Sequence, residues 1–159
     1  MTREAFKTVL KEYLIAELQW FAPELKDMEI RAFDIGIFPW HGYVYLSFLP
    51  TKEYNRNGNH LYAGDWEYWN FNKNHNWMPM RFCHWMQENE NIFDEEGQSL
   101  GTGYFKICGE LLHDQDVLDA FRPYKLSPDF ELLVFDQDEA TRNDSTKYYL
   151  KTAPLKPGI

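Results

Sequence analysis

The sequence contains little cysteine and no long apolar run. Its two cysteines, Cys83 and Cys108, are too few for a disulfide scaffold, which favours reduced thiols. No apolar stretch approaches the roughly 20 residues that a membrane-spanning helix needs. The first residues also lack the apolar stretch of a secretory signal. We therefore expect a soluble, cytoplasmic protein that does not enter a membrane.

Basic residues are outnumbered by acidic ones. The chain has 16 Lys and Arg against 25 Asp and Glu, which gives a formal net charge of −9 at pH 7. A surface of that sign repels phosphate backbones, so nucleic acid is not an expected partner. The same surface attracts a basic protein, which is the partner that the charge favours.

Aromatic residues are abundant, with twelve Phe, ten Tyr and six Trp in the chain. Five of the six tryptophans fall between Trp40 and Trp85. Such side chains bury large areas, so this stretch either fills a core or forms an adhesive face. With 159 residues, 44% of them hydrophobic, the chain is long enough for one core. We expect a single domain over residues 1–159, with a C-terminal tail at 152–159.

Two patterns predict the first part of the fold. Apolar residues at three- and four-residue spacing predict an amphipathic helix at 3–20, with Thr2 as its cap. Two apolar runs at 29–38 and 43–49 are joined by a short segment containing proline and glycine, which predicts an antiparallel hairpin. The polar stretch at 50–60 is typical of a loop.

The later part of the chain alternates strand-like and helix-like segments. Strands are predicted at 65–71 and 130–135, and a strand or helical turn at 146–151. Helices are predicted at 80–90, at 104–112 and after an Asp114 cap. This order indicates an α+β fold, in which an antiparallel sheet of about four to five strands is packed by three to four helices.

Histidines and cysteines do not form a metal-binding pattern. Structural zinc uses paired ligands at fixed spacing, whereas Cys83 and His84 are adjacent and point in different directions on a helix. Cys108 lies on the apolar face of its predicted helix, and the spacing rotates His113 away from it. The acidic run that starts at Asp136 fails at the fifth, sixth and twelfth positions of a calcium-binding EF-hand loop. We expect no metal and no other cofactor.

One pair of carboxylates is placed for acid–base chemistry. Asp65 and Glu67 share one face of the predicted strand, and Trp66 and Trp69 flank them. Carboxylates beside aromatic rings suit a sugar-cleaving site, because apolar neighbours raise the pKa of one acid. A small hydrolase using this pair, or the Asp136–Asp138 pair, is therefore one alternative. The same spacing also fits an exposed face of an acidic protein.

The same segment is suited to binding a protein. Tyr and Trp are favoured anchors at interfaces, and acidic groups around them select a basic partner. Most of the aromatic side chains are expected to fill the core, but their number leaves some for a surface. We therefore predict a partner-binding face formed by Asp65, Trp66, Glu67 and Trp69.

Several stretches of the sequence carry a resemblance to a known family. They are the N-terminal helix and residues 65–69, 117–121, 126–130 and 135–136. Together they resemble a family of uncharacterised bacterial proteins, a domain of unknown function that is similar in size and in its acidic, aromatic character. Some related small families accompany secreted toxins as immunity proteins. The resemblance implies a bacterial protein of the immunity type and supplies no catalytic residues.

A binding protein is favoured over an enzyme. We expect a cytoplasmic bacterial protein that masks a basic partner. A small hydrolase is the first alternative, and it requires two of the named carboxylates in a concave pocket. A structural subunit is the second alternative, and it requires a large apolar patch and a symmetric dimer.

Overall fold

The computed structural model describes residues 1–56, 63–75, 80–135 and 148–151. The helices in these residues are α1 (Arg3–Phe21), α2 (Thr51–Arg56), α3 (Met80–Glu88), α4 (Thr102–Leu111) and α5 (Gln115–Asp119). The strands are β1 (Glu29–Phe38), β2 (Tyr43–Pro50), β3 (Lys125–Phe135) and β4 (Tyr148–Lys151). The predicted tail at 152–159 and the Asp136–Asp138 pair lie outside the described residues.

Helix α1 is the amphipathic helix that the sequence predicts. The Thr2 side chain accepts a hydrogen bond from the Ala5 amide at 3.2 Å and caps the first turn. Its core face is formed by fully buried side chains at helical spacing: Phe6, Leu10, Leu14 and Leu18. In the described part of the chain, neither this helix nor any other is long and apolar enough to cross a membrane.

Strands β1 and β2 form the predicted antiparallel hairpin, with Ile35 opposite Leu46. The connection is a 3-10 turn at Pro39–His41, followed by Gly42 at φ +60°, a left-handed conformation that favours glycine. Relative to β2, Arg31 is an extra residue in β1, because Ile30 pairs with Pro50 and Ala32 pairs with Leu49. Relative to β3 the extra residues lie in β3, at 127–130. The hairpin is therefore predictable from local sequence, whereas the bulge at Arg31 is not.

The strands form one mixed sheet in the order β2-β1-β3-β4. β1 and β3 are parallel, whereas β2 with β1 and β3 with β4 are antiparallel. The α+β class is confirmed, but the prediction that the sheet is antiparallel is wrong, because β1 and β3 are parallel. Three long strands carry the sheet, and β4 adds a four-residue edge. The chain between β2 and β3 contains α2 to α5. A connection of this length allows β3 to lie beside β1 and to run parallel to it.

The predicted strand at 65–71 is absent. Its residues form turns along the outer edge of β2, with a single bridge between Tyr68 and Phe48. Asn70 adopts φ 53°, which ends any extended run, and its amide donates to Ser47 Oγ at 3.1 Å. The Asn70 amide thus bonds to a side chain of β2 where a strand would bond to its backbone. The segment therefore covers the edge of the sheet without forming a further strand.

Two further boundaries differ from the sequence prediction. Residues 51–56 form α2, a helix of six residues that is too short to show helical periodicity in the sequence. β3 begins at Lys125, earlier than predicted, and its pairing with β1 is irregular around Pro128 because proline has no amide to donate. Helices α3, α4 and α5 lie where they were predicted, and the Asp114 side chain caps α5.

Each face of the sheet contacts a separate cluster of buried apolar side chains, one large and one small. One face packs against the helices in a large apolar cluster that includes Phe6, Phe33, Phe48 and Phe121. The other face holds a smaller cluster made of Ala32, Leu49, Ala63, Trp66 and Leu133. On that second face a Cβ at Gly36 would lie 1.7 Å from Cζ of Tyr45, so only glycine lets the ring cross β1. Asp34, between Ala32 and Gly36 on this face, is fully buried.

Candidate functional site

The structure separates the four residues of the predicted partner-binding face. Trp66 is only 5% exposed and packs in the smaller core cluster with Leu133. Its ring therefore belongs to the core, which corrects the expectation that it is an exposed anchor. Asp65, Glu67 and Trp69 are exposed, and the Trp69 ring contacts Tyr45 with 6.1 Å between ring centroids.

The shared face of Asp65 and Glu67 is absent as well. Asp65 ends a 3-10 turn at Ala63–Asp65, so the two carboxylates do not alternate along a strand. Glu67 lines a concave site, whereas Asp65 is not among the residues that line it. The hydrolase alternative therefore loses the strand geometry on which its acid pair rested.

The concave site is a groove of about 560 Å³ at the start of β1, the end of β2 and α2. We call it the acidic groove, and its charged lining consists of Asp27, Glu29, Glu53, Glu67, Lys52 and Arg56. Both basic side chains are exposed, and the charge of Arg56 lowers the pKa of Glu53 against the effect of burial. Met28 and Pro50 contribute apolar surface to the lining of the groove. Carboxylates outnumber cations here, as they do in the whole sequence.

Glu53 is the buried carboxylate of the acidic groove. Its side chain is 4% exposed, and its Oε1 accepts a hydrogen bond from the Glu67 amide at 3.0 Å. Its Oε2 has no hydrogen-bond partner in the described ranges. Burial raises the pKa of Glu53, and the hydrogen bond from Glu67 opposes that rise. The groove therefore contains a shielded oxygen with unused capacity to accept a hydrogen bond.

The bulge in β1 holds this part of the groove in place. Arg31 lies over the Tyr54 ring of α2, with 4.9 Å from its guanidinium carbon to the ring centroid. The same guanidinium donates to the Asp129 carbonyl oxygen and lies 3.4 Å from Glu131 Oε2. Arg31 thus ties α2 to β1 and β3, and α2 carries Glu53. The position of Glu53 depends on contacts that are distant in sequence.

A second pocket, of about 270 Å³, is formed by residues of α1, β2, α3 and the segment before α3. We call it the histidine pocket; its lining includes Tyr13, Tyr43, Lys73, His75, Cys83 and His84. His75 Nδ1 lies 2.7 Å from Oε1 of Glu17, whose side chain is fully buried. Burial raises the pKa of Glu17, while the hydrogen bond and charge of His75 oppose the rise.

The residues considered for a metal site are only partly brought together. Cys83 and His84 line the histidine pocket, whereas Cys108 is buried in the large apolar core and the exposed His113 does not line the pocket. Within the described ranges, no three His, Cys, Asp or Glu side chains are placed to hold a metal ion. Burial raises the pKa of the Cys83 thiol, which favours its protonated form. Cys83 is therefore not activated as a nucleophile.

Three acidic residues of the groove were missed from the sequence. Glu53 lies in a stretch for which the sequence predicts a loop. Asp27 lies in the turn before β1 and Glu29 begins β1, both far from Glu67 in sequence. Their common signal is negative charge, which the sequence spreads over 25 acidic residues. Charge alone does not distinguish a groove from a solvated surface.

Comparisons of the chain with protein-family models, with curated proteins and with solved structures found no match. The resemblance to a bacterial family of immunity type therefore stays an expectation.

Proposed function

We propose that the chain is a protein-binding module that takes an arginine or lysine side chain of a basic partner into the acidic groove. In doing so it masks the basic surface of that partner, as an immunity protein does. The observation that carries the proposal is the position of Glu53. Its carboxylate is almost fully buried in the groove, and its Oε2 has no hydrogen-bond partner among the described residues.

The energetics of a buried carboxylate favour a cationic occupant. An unpaired buried charge is costly, and a guanidinium or ammonium group offsets that cost with a charge-assisted hydrogen bond. Exposed Asp27 and Glu67 would add attraction at the mouth of the groove. Met28 and Pro50 offer apolar contact for the methylene stem of the entering side chain. The net charge of −9 would speed the approach of a basic protein.

A matched pair of variants tests the proposal. Glu53→Gln keeps the size of the side chain and removes its charge, and Glu12→Gln removes one charge from the exposed face of α1. The probe is a fluorescein-labelled octa-arginine peptide, and binding is followed by fluorescence anisotropy. We expect Glu53→Gln to weaken binding by about tenfold or more, because one partner of a desolvated charge pair is lost. Glu12→Gln should change the affinity by less than about twofold.

The salt dependence of this titration gives a second readout. Wild-type affinity should fall as salt is added, because exposed charges around the groove are screened. Equal loss of affinity in Glu53→Gln and Glu12→Gln would indicate nonspecific attraction to a negative surface. That outcome would contradict a specific site at Glu53.

A further inference from the structure

The histidine pocket has a fixed floor. Asn72 Oδ1 accepts a hydrogen bond from the Leu46 amide at 2.7 Å, and its Nδ2 donates to the Val44 carbonyl oxygen at 3.0 Å. The same Nδ2 donates to the Tyr13 hydroxyl at 2.5 Å. Three partners on β2 and α1 leave the Asn72 side chain little freedom. The floor is thus preformed, as small-molecule sites usually are.

The imidazole of His75 is held in one orientation. Its Nδ1 faces Glu17 Oε1 at 2.7 Å, and its ring stacks on Trp20 with 4.1 Å between centroids and 5° between planes. A histidine with one nitrogen engaged presents the other nitrogen to a ligand. His75 lines the pocket and its side chain is 31% exposed. Its Nε2 is therefore the atom available for a ligand.

The lining of this pocket has a positive charge on Lys73, and the carboxylate of Glu17 engages His75 Nδ1 without lining the pocket. Among the described residues that line it, none is acidic, although the sequence has 25 acidic residues. Lys73 and His84 are exposed at the pocket, and the imidazole of His75 also lines it. Tyr13, Tyr43 and other apolar lining provide surface for a ring. Its volume lies below the about 300–1,000 Å³ of common ligand sites, which limits the size of the ligand.

We infer that the histidine pocket binds a small organic anion that carries a ring and a carboxylate or phosphate group. The site requires the form of His75 that carries a proton on Nε2, so that Nε2–H donates a hydrogen bond to the anion while Nδ1 engages Glu17. The anion also lies near the Lys73 ammonium group, and its ring packs against the tyrosine side chains. Carboxylate and phosphate share this chemistry, and the probes distinguish them. The inference does not rest on the acidic groove, because the two sites share no described lining residue.

Histidine NMR with three probes tests the inference. Sodium benzoate, phenyl phosphate and the uncharged benzamide are titrated to about 10 mM, which detects weak binding. We expect benzoate, phenyl phosphate or both to shift the His75 ring signals saturably, and which of them binds identifies the anionic group. His113, which is exposed and does not line the pocket, is the internal reference and should not respond. Benzamide should bind at least about tenfold more weakly.

A charge variant checks the site without disturbing its floor. Lys73→Gln removes an exposed charge at the pocket, and Lys26→Gln removes an exposed charge that does not line it. We expect Lys73→Gln to weaken anion binding by about fivefold or more and Lys26→Gln to leave it within about twofold. The inference is overturned if neither anion gives a saturable shift, if benzamide binds equally well, or if Lys73→Gln binds like wild type.

Discussion

Replacing Asp34 with asparagine is expected to stabilise the protein at neutral pH, by an amount that grows as the pH rises. Asp34 is fully buried on β1, and neither carboxylate oxygen has a hydrogen-bond partner in the described part of the chain. Burial alone raises the pKa of Asp34 well above its ordinary value of 3.8. The asparagine side chain has nearly the same shape and carries no proton that titrates in this range.

The sign of the effect follows from where the proton is held. The unfolded chain ionises Asp34 near pH 3.8, whereas the folded protein keeps the proton at higher pH. Unfolding therefore releases a proton between the two pKa values. The contribution of Asp34 to stability is complete below the lower pKa and is lost as pH rises towards the higher one. The loss amounts to at most about 1.4 kcal/mol per pH unit.

Urea denaturation of wild type and Asp34→Asn at several pH values between about 5 and 8 measures this difference. The free energies of unfolding should diverge with rising pH, with the variant more stable. Glu12→Gln, at an exposed position, should run parallel to wild type. If Asp34→Asn also runs parallel to wild type, Asp34 is not the isolated buried carboxyl group that the structure describes.

The largest loss of stability is expected from Asn72→Ala. The change leaves the Leu46 amide and the Val44 carbonyl oxygen without their partner on the edge of β2, and it also removes a partner of Tyr13. Each unsatisfied buried group costs about 1–3 kcal/mol. We therefore expect the free energy of unfolding to fall by about 3–5 kcal/mol.

Asn89→Ala is the matched control for this measurement. The Asn89 side chain donates one hydrogen bond to a backbone carbonyl oxygen, that of Trp85, at 2.7 Å. Its loss should cost about 1 kcal/mol in the same urea denaturation series. Equal losses in Asn72→Ala and Asn89→Ala would mean that Asn72 does not fasten the edge of β2.

The elements that could be predicted from the sequence are those whose own residues contain a cap, an apolar face or a turn motif. Helix α1 has a cap at Thr2 and an apolar face at helical spacing, and the hairpin has a turn segment with Gly42. The parallel pairing of β1 with β3 was not predictable in this way, because it joins strands that are far apart in sequence. The sequence predicts a strand at 65–71, whereas the structure has turns there, because the conformation of this segment depends on contacts with β2.

The candidate site was predictable only in part. Glu67 was named from the sequence and lines the acidic groove, whereas Glu53 enters the groove through a short helix held by Arg31. Trp66 and Trp69 have the same residue type and similar neighbours in sequence. Only the tertiary structure shows that Trp66 is 5% exposed and Trp69 is 37% exposed. Composition predicted an acidic, aromatic protein, and packing decides which rings and acids remain accessible.

The carboxyl carbon of Glu53 gives the most direct test of a cation site in the acidic groove. Its NMR signal is titrated with pH, first in the free protein and then with saturating octa-arginine peptide. We expect the pKa of Glu53 to be raised by burial in the free protein and to fall when peptide binds, because a guanidinium group favours the charged carboxylate. A Glu53 titration that saturating peptide leaves unchanged would contradict the account.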